Sequence, residues 1–569
     1  MISSRAFELV LESVRDSGAG RRIDALLAGS GGRPRQLSAD VYLAAAISTF
    51  HAKKTPTLVN LHAILTKELS VTAQRAHGIR KLRADGSEAT LTIRQVRYMM
   101  EAIEKKLAIH VSRAGDLGEE AKVDRQENLA RLVEEIIEAS LPAQQAPSAM
   151  ALDSTAIPSW ARGKRRPKPN RAERRAAARA GRKAADEAED GYGDVLDEGY
   201  SADPDASWGY RTKTYDTGSS YCFGYDVHAM VGVPAHGANG ADVPILTYGI
   251  SIQPCGTDVV APSLRLLDRM REGERPVDEL LVDRGYSYKD GSRWGAELAR
   301  RGIAQVLDLH PSEVGPREHE GMVVIAGVPH CPALPEELWH IQRPARLSVP
   351  ALKANATSVE RDRHQLEVDQ LSAFADAIAE RLRYSFVKVA RPRRTAKDQG
   401  AWRWACPAQA GKLRCANCPM SAHLPADTPE VADPPDPHSA GGAPVCCTQR
   451  TVTVPGAATR KLAQEHYWGS PEWITSFARR TRVEGFFGNL KGASTSNVRH
   501  GWCRLMGIVK TSVMVACAVA ATNISLLRAW AKRTGDYSCP LAAPLPETLF
   551  AEVPPEALEA VGADPPPGV

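Results

Sequence analysis

The chain has 569 residues, with 72 Lys and Arg against 67 Asp and Glu, a formal net charge of +5. That length predicts two to four domains, and so even a balance excludes a chain that is polycationic throughout, so any polyanion has to be met locally. The opening Met1-Ile-Ser-Ser-Arg-Ala-Phe lacks the long apolar core of a secretory leader, so the expected compartment is the cytoplasm, with most of the 11 cysteines reduced.

Residues 1–141 predict a helical domain, with apolar residues at helical spacing over 6–15, 39–50, 58–69, 92–108 and 128–139. A basic loop at 29–35 and a patch of Arg75, Arg80, Lys81 and Arg83 accompany these helices. Such bundles bind duplex DNA through a recognition helix or serve only as scaffolding, and both readings stay open. A linker (142–147) leads to a short apolar run ending in Asp153. Strands are expected over 222–231 and 243–252, then a helix over 258–271 with Asp258 as N-cap. A buried strand over 279–283 ends in Asp283, before the turn Arg284-Gly285-Tyr286. Between the first two strands lies a dense run of cations, among them Arg165, Arg166, Arg174 and Arg175, followed by an acidic stretch reaching Asp205. Basic clusters of this density bind nucleic-acid backbones by counterion release; a solvated loop has the same composition.

The segment 312–466 is Pro-rich and mixed, with a charged helix expected over 351–382. Cys406, Cys415, Cys418 and Cys446 are compatible with a four-thiolate zinc site, the alternative being free buried thiols. Trp402 and Trp404, set among arginines, suit either base stacking or a core. Residues 505–527 are apolar enough to raise a membrane span, but Lys510, Asn523 and several Ser and Thr favour a buried core helix and no membrane partner. The tail, 536–569, is rich in Pro, Glu and Ala and reads as disordered.

The most informative stretch is Phe477 to Lys491. On one helix, Phe477, Arg480, Glu484 and Lys491 fall within an arc of about 60°, beside a face made by Val483, Phe487 and Leu490. An acid flanked by cations on one edge combines a divalent-metal ligand with phosphate contacts, although most charged stripes are simply solvated. Gly485 and Gly488 near this edge would let another backbone approach closely. With Asp153 and Asp283 upstream, the order is strand with Asp, strand, strand, helix, strand with Asp, and finally helix with Glu. Three converging carboxylates repel one another at neutral pH, and a pair of divalent cations is the usual remedy.

These residues carry a resemblance. The chain resembles the DDE transposases of bacterial insertion sequences, the cut-and-paste group with a Tyr-x2-Arg-x3-Glu-x6-Lys helix. Arg480, Glu484 and Lys491 match that signature, and Phe477 stands where Tyr is usual. Leu152-Asp153-Ser154-Thr155, the segments 203–211 and 223–228, and Val282-Asp283-Arg284-Gly285-Tyr286 match in the same order. The resemblance implies an α/β fold: an RNase H-like catalytic core, a mixed sheet flanked by helices, split as 142–311 and 467–535. The N-terminal helical domain would bind DNA ends, and the large insertion would precede the last core helices, where related transposases carry a β-rich segment. It further implies catalysis and Mg²⁺ (or Mn²⁺) binding, two ions, by Asp153, Asp283 and Glu484. Arg480 and Lys491 would contact DNA phosphates. The implied partners are double-stranded DNA, as transposon ends and target, and a second copy of the chain in a synaptic homodimer. A metal-dependent nuclease on the same core, a non-catalytic DNA-binding descendant, and an interaction protein centred on the cysteines are the alternatives.

Overall fold

The computed structural model describes residues 4–28, 35–143, 146–163, 201–211, 220–287, 289–390, 401–434, 436, 444–498 and 504–544. A hairpin, β1 (Arg80–Leu82) and β2 (Glu88–Thr90), interrupts the N-terminal helices. Asp85-Gly86 supplies its turn, a signal overridden by the helical spacing on either side. Arg75 and Arg80 both pair with Glu88, so this one carboxylate offsets one of the four charges of the expected basic patch.

Six strands form a curled mixed sheet: β3 (Ala149–Pro158), β4 (Ser207–Arg211), β5 (Ser220–Gly232), β6 (Thr247–Pro254), β7 (Glu279–Val282) and β8 (Ala304–Leu307). β5 lies antiparallel to β3 from Met150↔Gly232 to Pro158↔Gly224. Its other edge is shared, with β4 on its first half and β6 on its second. At the seam a Cβ on Gly224 would come within 2.2 Å of the Ile157 carbonyl oxygen, so only glycine fits. On the far side β7 runs parallel to β3, and β8 parallel to β7. The helix Val260–Glu272 makes the crossover from β6 to β7 that parallel strands need, burying Leu266, Leu267 and Met270. The helix starts two residues later than expected, with Val259 and not Asp258 at its N-cap, although the Asp258 carboxylate still accepts from Val260 N at 3.3 Å.

Two of the boundaries that differ from expectation shape the site. β6 begins at Thr247 rather than at 243, because Pro244 has no N–H to give a ladder. β3 does not end at Asp153 but continues to Pro158, because β5 pairs with it throughout. β7 stops at Val282, opposite Leu152. Among the described residues, therefore, β3 has a neighbour on one edge only from Asp153 onward, and this notch in the sheet is where the acids lie.

The apolar helix Ile508–Thr534 packs between β6 and the helices Ala39–His51 and Glu119–Glu138, with 78% of its most apolar window buried. Burial on all sides accounts for its hydrophobicity. Asn523 joins three elements: it accepts from Thr247 N (2.9 Å) and donates to Thr247 O (2.9 Å) and Ser140 Oγ (3.0 Å). The acidic stretch ends here too. Buried Asp203 accepts from Ser159 Oγ (2.6 Å), Tyr225 OH (2.8 Å) and Gly507 N (3.0 Å), and Asp205 from Ile508 N (3.0 Å). Both carboxylates therefore sit at the positive start of the long helix.

Between β8 and the final helices come two small antiparallel sheets. β9 (Arg317–His319), β10 (Met322–Ile325) and β11 (Val328–His330) form the first; β12 (Val387–Ala390), β13 (Trp402–Ala405) and β14 (Val452–Val454) form the second. The expected charged helix is Ser358–Arg383, opened by a capping box of Thr357 and Glu360. Trp404 is buried, and the Lys388 ammonium lies 5.2 and 5.3 Å from the ring centroids of Trp402 and Trp404. These tryptophans serve sheet packing, not an open stacking surface.

Candidate active site

The stretch expected as one helix over 477–491 is two helices, Pro471–Ala478 and Thr481–Lys491, broken at Arg479-Arg480. At the break the ladder runs three residues back: Arg480 N to Phe477 O, Arg482 N to Arg479 O and Val483 N to Arg480 O, at 3.0–3.2 Å. Two adjacent arginines thereby take different paths. Arg479 turns inward, its guanidinium bidentate on Glu279 at 2.7 and 2.7 Å, with Pro234 O at 2.9 Å and Ser476 Oγ at 2.6 Å. Glu279 opens β7, so this pair bolts the break to the base of the strand that leads into Asp283. The local spacing to Glu484 and Lys491 singles out Arg480, but the inward turn of Arg479 depends on Glu279, far upstream.

Arg480 turns toward the acids. It lies 3.0 Å from an Asp153 oxygen and also pairs with Glu484 one turn along its own helix. Its guanidinium stands 5.5 Å from the centre of the Phe477 ring, which stacks on Trp473 at 5.0 Å. The Phe477 ring thus supports the arginine face-on. Lys491 reaches the Thr155 hydroxyl. Asp153 and Thr155 are two residues apart on β3 and share a face, so Thr481–Lys491 lies along that face with a cation at each end.

Asp153 and Asp283 each directly follow the paired residues Leu152 and Val282, which sets them at one level on neighbouring parallel strands about 4.8 Å apart. Asp283 accepts from Gly285 N at 2.9 Å, which starts the Arg284–Tyr286 turn. Burial pushes the Asp153 carboxyl above its ordinary value; Asp283 adds repulsion, Arg480 opposes it, and Glu484 adds more. The structure thus brings Asp153, Asp283, Glu484, Arg480 and Lys491 together. As they stand, Arg480 bridges Asp153 and Glu484, and among the described residues no three His, Cys, Asp or Glu side chains form a ready metal-ligand set. The expected close approach at Gly485 and Gly488 is not seen: an added Cβ at either would meet nothing within 4 Å, because their side of the helix is open. Arg165, Arg166, Arg174 and Arg175 lie outside the described residues.

Sequence reasoning missed Arg343. It comes from the segment after β11 and stands 3.0 Å from Asp308, which lies just beyond β8. Burial lowers its pKa, and the charges of Arg284 and Arg480 lower it further while Asp308 opposes. Three arginines from separate segments therefore face one region beside the acids. At the other end of the helix, beside Lys491, opens a cleft of about 560 Å³, walled by Ser154, Thr155, Trp208, Phe223 and Lys491. Cys406, Cys415, Cys418 and Cys446 gather elsewhere, within the insertion.

No protein-family model matches this sequence, and no curated protein matches it significantly.

Proposed function

We propose that the chain is a DDE-type transposase with an RNase H-like core, working in the cytoplasm on double-stranded DNA as a homodimer that holds two element ends. The observation that carries this reading is the placement of Asp153 and Asp283 at one level of adjacent parallel strands, with Glu484 tied in through Arg480. The strand order supports the core: β3, β5 and β6 antiparallel in succession, then β7 and β8 parallel to β3 after a crossover helix.

Three carboxylates offer the hard oxygen donors that Mg²⁺ or Mn²⁺ prefers; burial first and repulsion from Asp283 second raise the Asp153 pKa, and a cation relieves that repulsion. Asp153 and Asp283 would hold the two ions, with Glu484 completing one set once Arg480 lets go. Bound ions supply charge neutralisation at the scissile phosphodiester and ease deprotonation of the attacking water. The chain's own groups do the rest. Arg480 exchanges its acids for a phosphate, to which its planar fork is matched. Lys491 likewise leaves Thr155, at the wall of a cleft whose Trp208 and Phe223 rings, 5.4 Å apart, suit an unpaired base. The open strip over Gly485 and Gly488 admits the DNA backbone. Water cuts one strand, and the freed 3′-hydroxyl then attacks the opposite strand or target DNA, one P–O bond forming as another breaks.

The test uses the full chain and labelled DNA carrying the inverted repeats that flank its coding region. Asp153→Ala, Asp283→Ala and Glu484→Ala should each abolish Mg²⁺-dependent cleavage, by roughly a thousand-fold or more, yet keep binding in a gel shift. Cleavage retained in any one of them sinks the assignment. Cleavage without strand joining in the wild type would favour the nuclease.

A further inference from the structure

Six cysteines, Cys331, Cys406, Cys415, Cys418, Cys446 and Cys447, line one cavity of about 10 Å³ inside the insertion. That is room for about one water-sized sphere. The cysteines come from four stretches of chain. Cys331 directly follows β11, Cys406 directly follows β13, and Cys446 and Cys447 sit on the short helix Val445–Thr448 before β14. Cys415 and Cys418 belong to a turn closed by Cys418 N to Cys415 O at 3.0 Å.

Nothing in ordinary packing asks for this arrangement. A void forfeits dispersion contacts along its walls, and six thiols are poor hydrogen-bonding partners for one another. No disulfide joins them: all six are free, with the adjacent sulfurs of Cys446 and Cys447 3.9 Å apart. The Cys331 and Cys446 thiols hydrogen-bond to the Cys406 sulfur. The Cys415–Cys418 turn is held from behind by buried Ser421, whose hydroxyl donates toward Cys415 O (2.9 Å) and Cys418 O (2.8 Å) and accepts from Cys415 N (3.0 Å). A two-residue chelating turn with its backbone already locked is the local geometry that a tetrahedral thiolate site uses.

We propose that this pocket is a structural zinc site in which Cys406, Cys415, Cys418 and Cys446 supply four thiolates and Cys331 hydrogen-bonds to the Cys406 sulfur. Four sulfurs with no histidine select zinc among the common divalent ions. The thiols now spend their hydrogens on one another. Closing four of them onto an ion at about 2.3 Å takes rotation of short side chains and releases their protons to solvent. The ion would tie the loop after β13 to the helix before β14, with Cys331 adding the end of β11, so one metal would link both small sheets. The site is independent of the acids and of the proposed DNA chemistry.

The experiment measures metal in the full chain, purified without chelator from zinc-supplemented cells. One zinc per chain is expected, released by a mercurial reagent. Cobalt exchanged into the same chain should give thiolate-to-metal charge transfer and strong visible bands, a readout that needs no variant. Cys415→Ser combined with Cys418→Ser should reduce zinc below about a tenth of wild type. Cys331→Ser should keep it with about 10–100-fold weaker affinity. Asp153→Ala and Cys222→Ser should leave it unchanged, which separates this site from the acid site. Iron with sulfide, a metal-free wild type, a cobalt spectrum lacking thiolate bands, or full zinc in the double variant would each overturn the proposal.

Discussion

The acid site and the cysteine pocket both gather residues that are far apart in the sequence, but by different means. The acids sit on a framework of backbone pairing. β3 and β7 share a register that sets Asp153 beside Asp283 whatever their side chains do, and Arg479 locks the helix break to Glu279 at the base of the same strand. The thiols sit at the ends of short strands and on turns, where little regular pairing holds one stretch against another. A site set by sheet register should tolerate loss of its functional groups, whereas one set by loops needs something inside it. The lesson is that charge in the first is a cost the fold carries, while sulfur in the second is a candidate for the bond that holds the region together.

The sharpest way to break this contrast is through the framework of the acid site. Arg479→Met leaves Glu279, largely buried, without its partner, and removing one member of such a pair costs about 3–5 kcal/mol. Denaturant unfolding should show that loss, whereas Arg480→Met, one of whose two partners, Glu484, is half exposed, should cost less while still depressing cleavage. Equal losses would mean that the break is not anchored as described. Next in size is metal removal. A strong zinc chelator should lower the melting temperature of the full chain by a few degrees, about 2–4 °C per kcal/mol for a domain of 150–250 residues. The drop should be the same in Asp153→Asn. A chelator effect that vanishes in that variant would transfer the stabilisation to the acids.

The smallest effect concerns Asp153 itself. Its folded pKa lies above the ordinary 3.8, first from burial and then from Asp283. The folded state therefore binds its proton more tightly, and its contribution to stability is present below 3.8 and lost as pH rises through the raised value. Without divalent metal, Asp153→Asn should melt about a degree or two above wild type at pH 7, and the two should converge near pH 3. Binding of Mg²⁺ to wild type, followed calorimetrically, should weaken as pH falls through that same raised value. A variant that melts below wild type at pH 7 would make the Arg480 pair, rather than repulsion, the dominant influence on Asp153.

Much of the core was legible because its signals are local. The apolar runs ending in Asp153 and Asp283 read as strands, and β3 and β7 pair up to the residues just before those acids. The charged edge from Arg480 to Lys491 also survives the helix break, since the break falls before Thr481 and leaves Glu484 and Lys491 two turns apart on one helix. The hairpin at Asp85-Gly86 was hidden by helical spacing on both sides. The membrane-like composition of Ile508–Thr534 resolved as expected, and Asn523, which reads as a blemish in an apolar run, is the residue that ties that helix to β6.

What the sequence alone determined is the list of chemically able residues and the strands and helices that carry them, because pattern and propensity act over a few neighbours. Which of those residues meet is a matter of packing across the whole fold. Arg479 and Arg480 are chemically identical and adjacent, yet one is bolted to Glu279 and the other faces Asp153. Arg343 reaches the same region from the insertion, and Cys331 joins cysteines distant in the chain. Such meetings depend on long-range packing and on where β7 happens to stop, and no short window of sequence contains either.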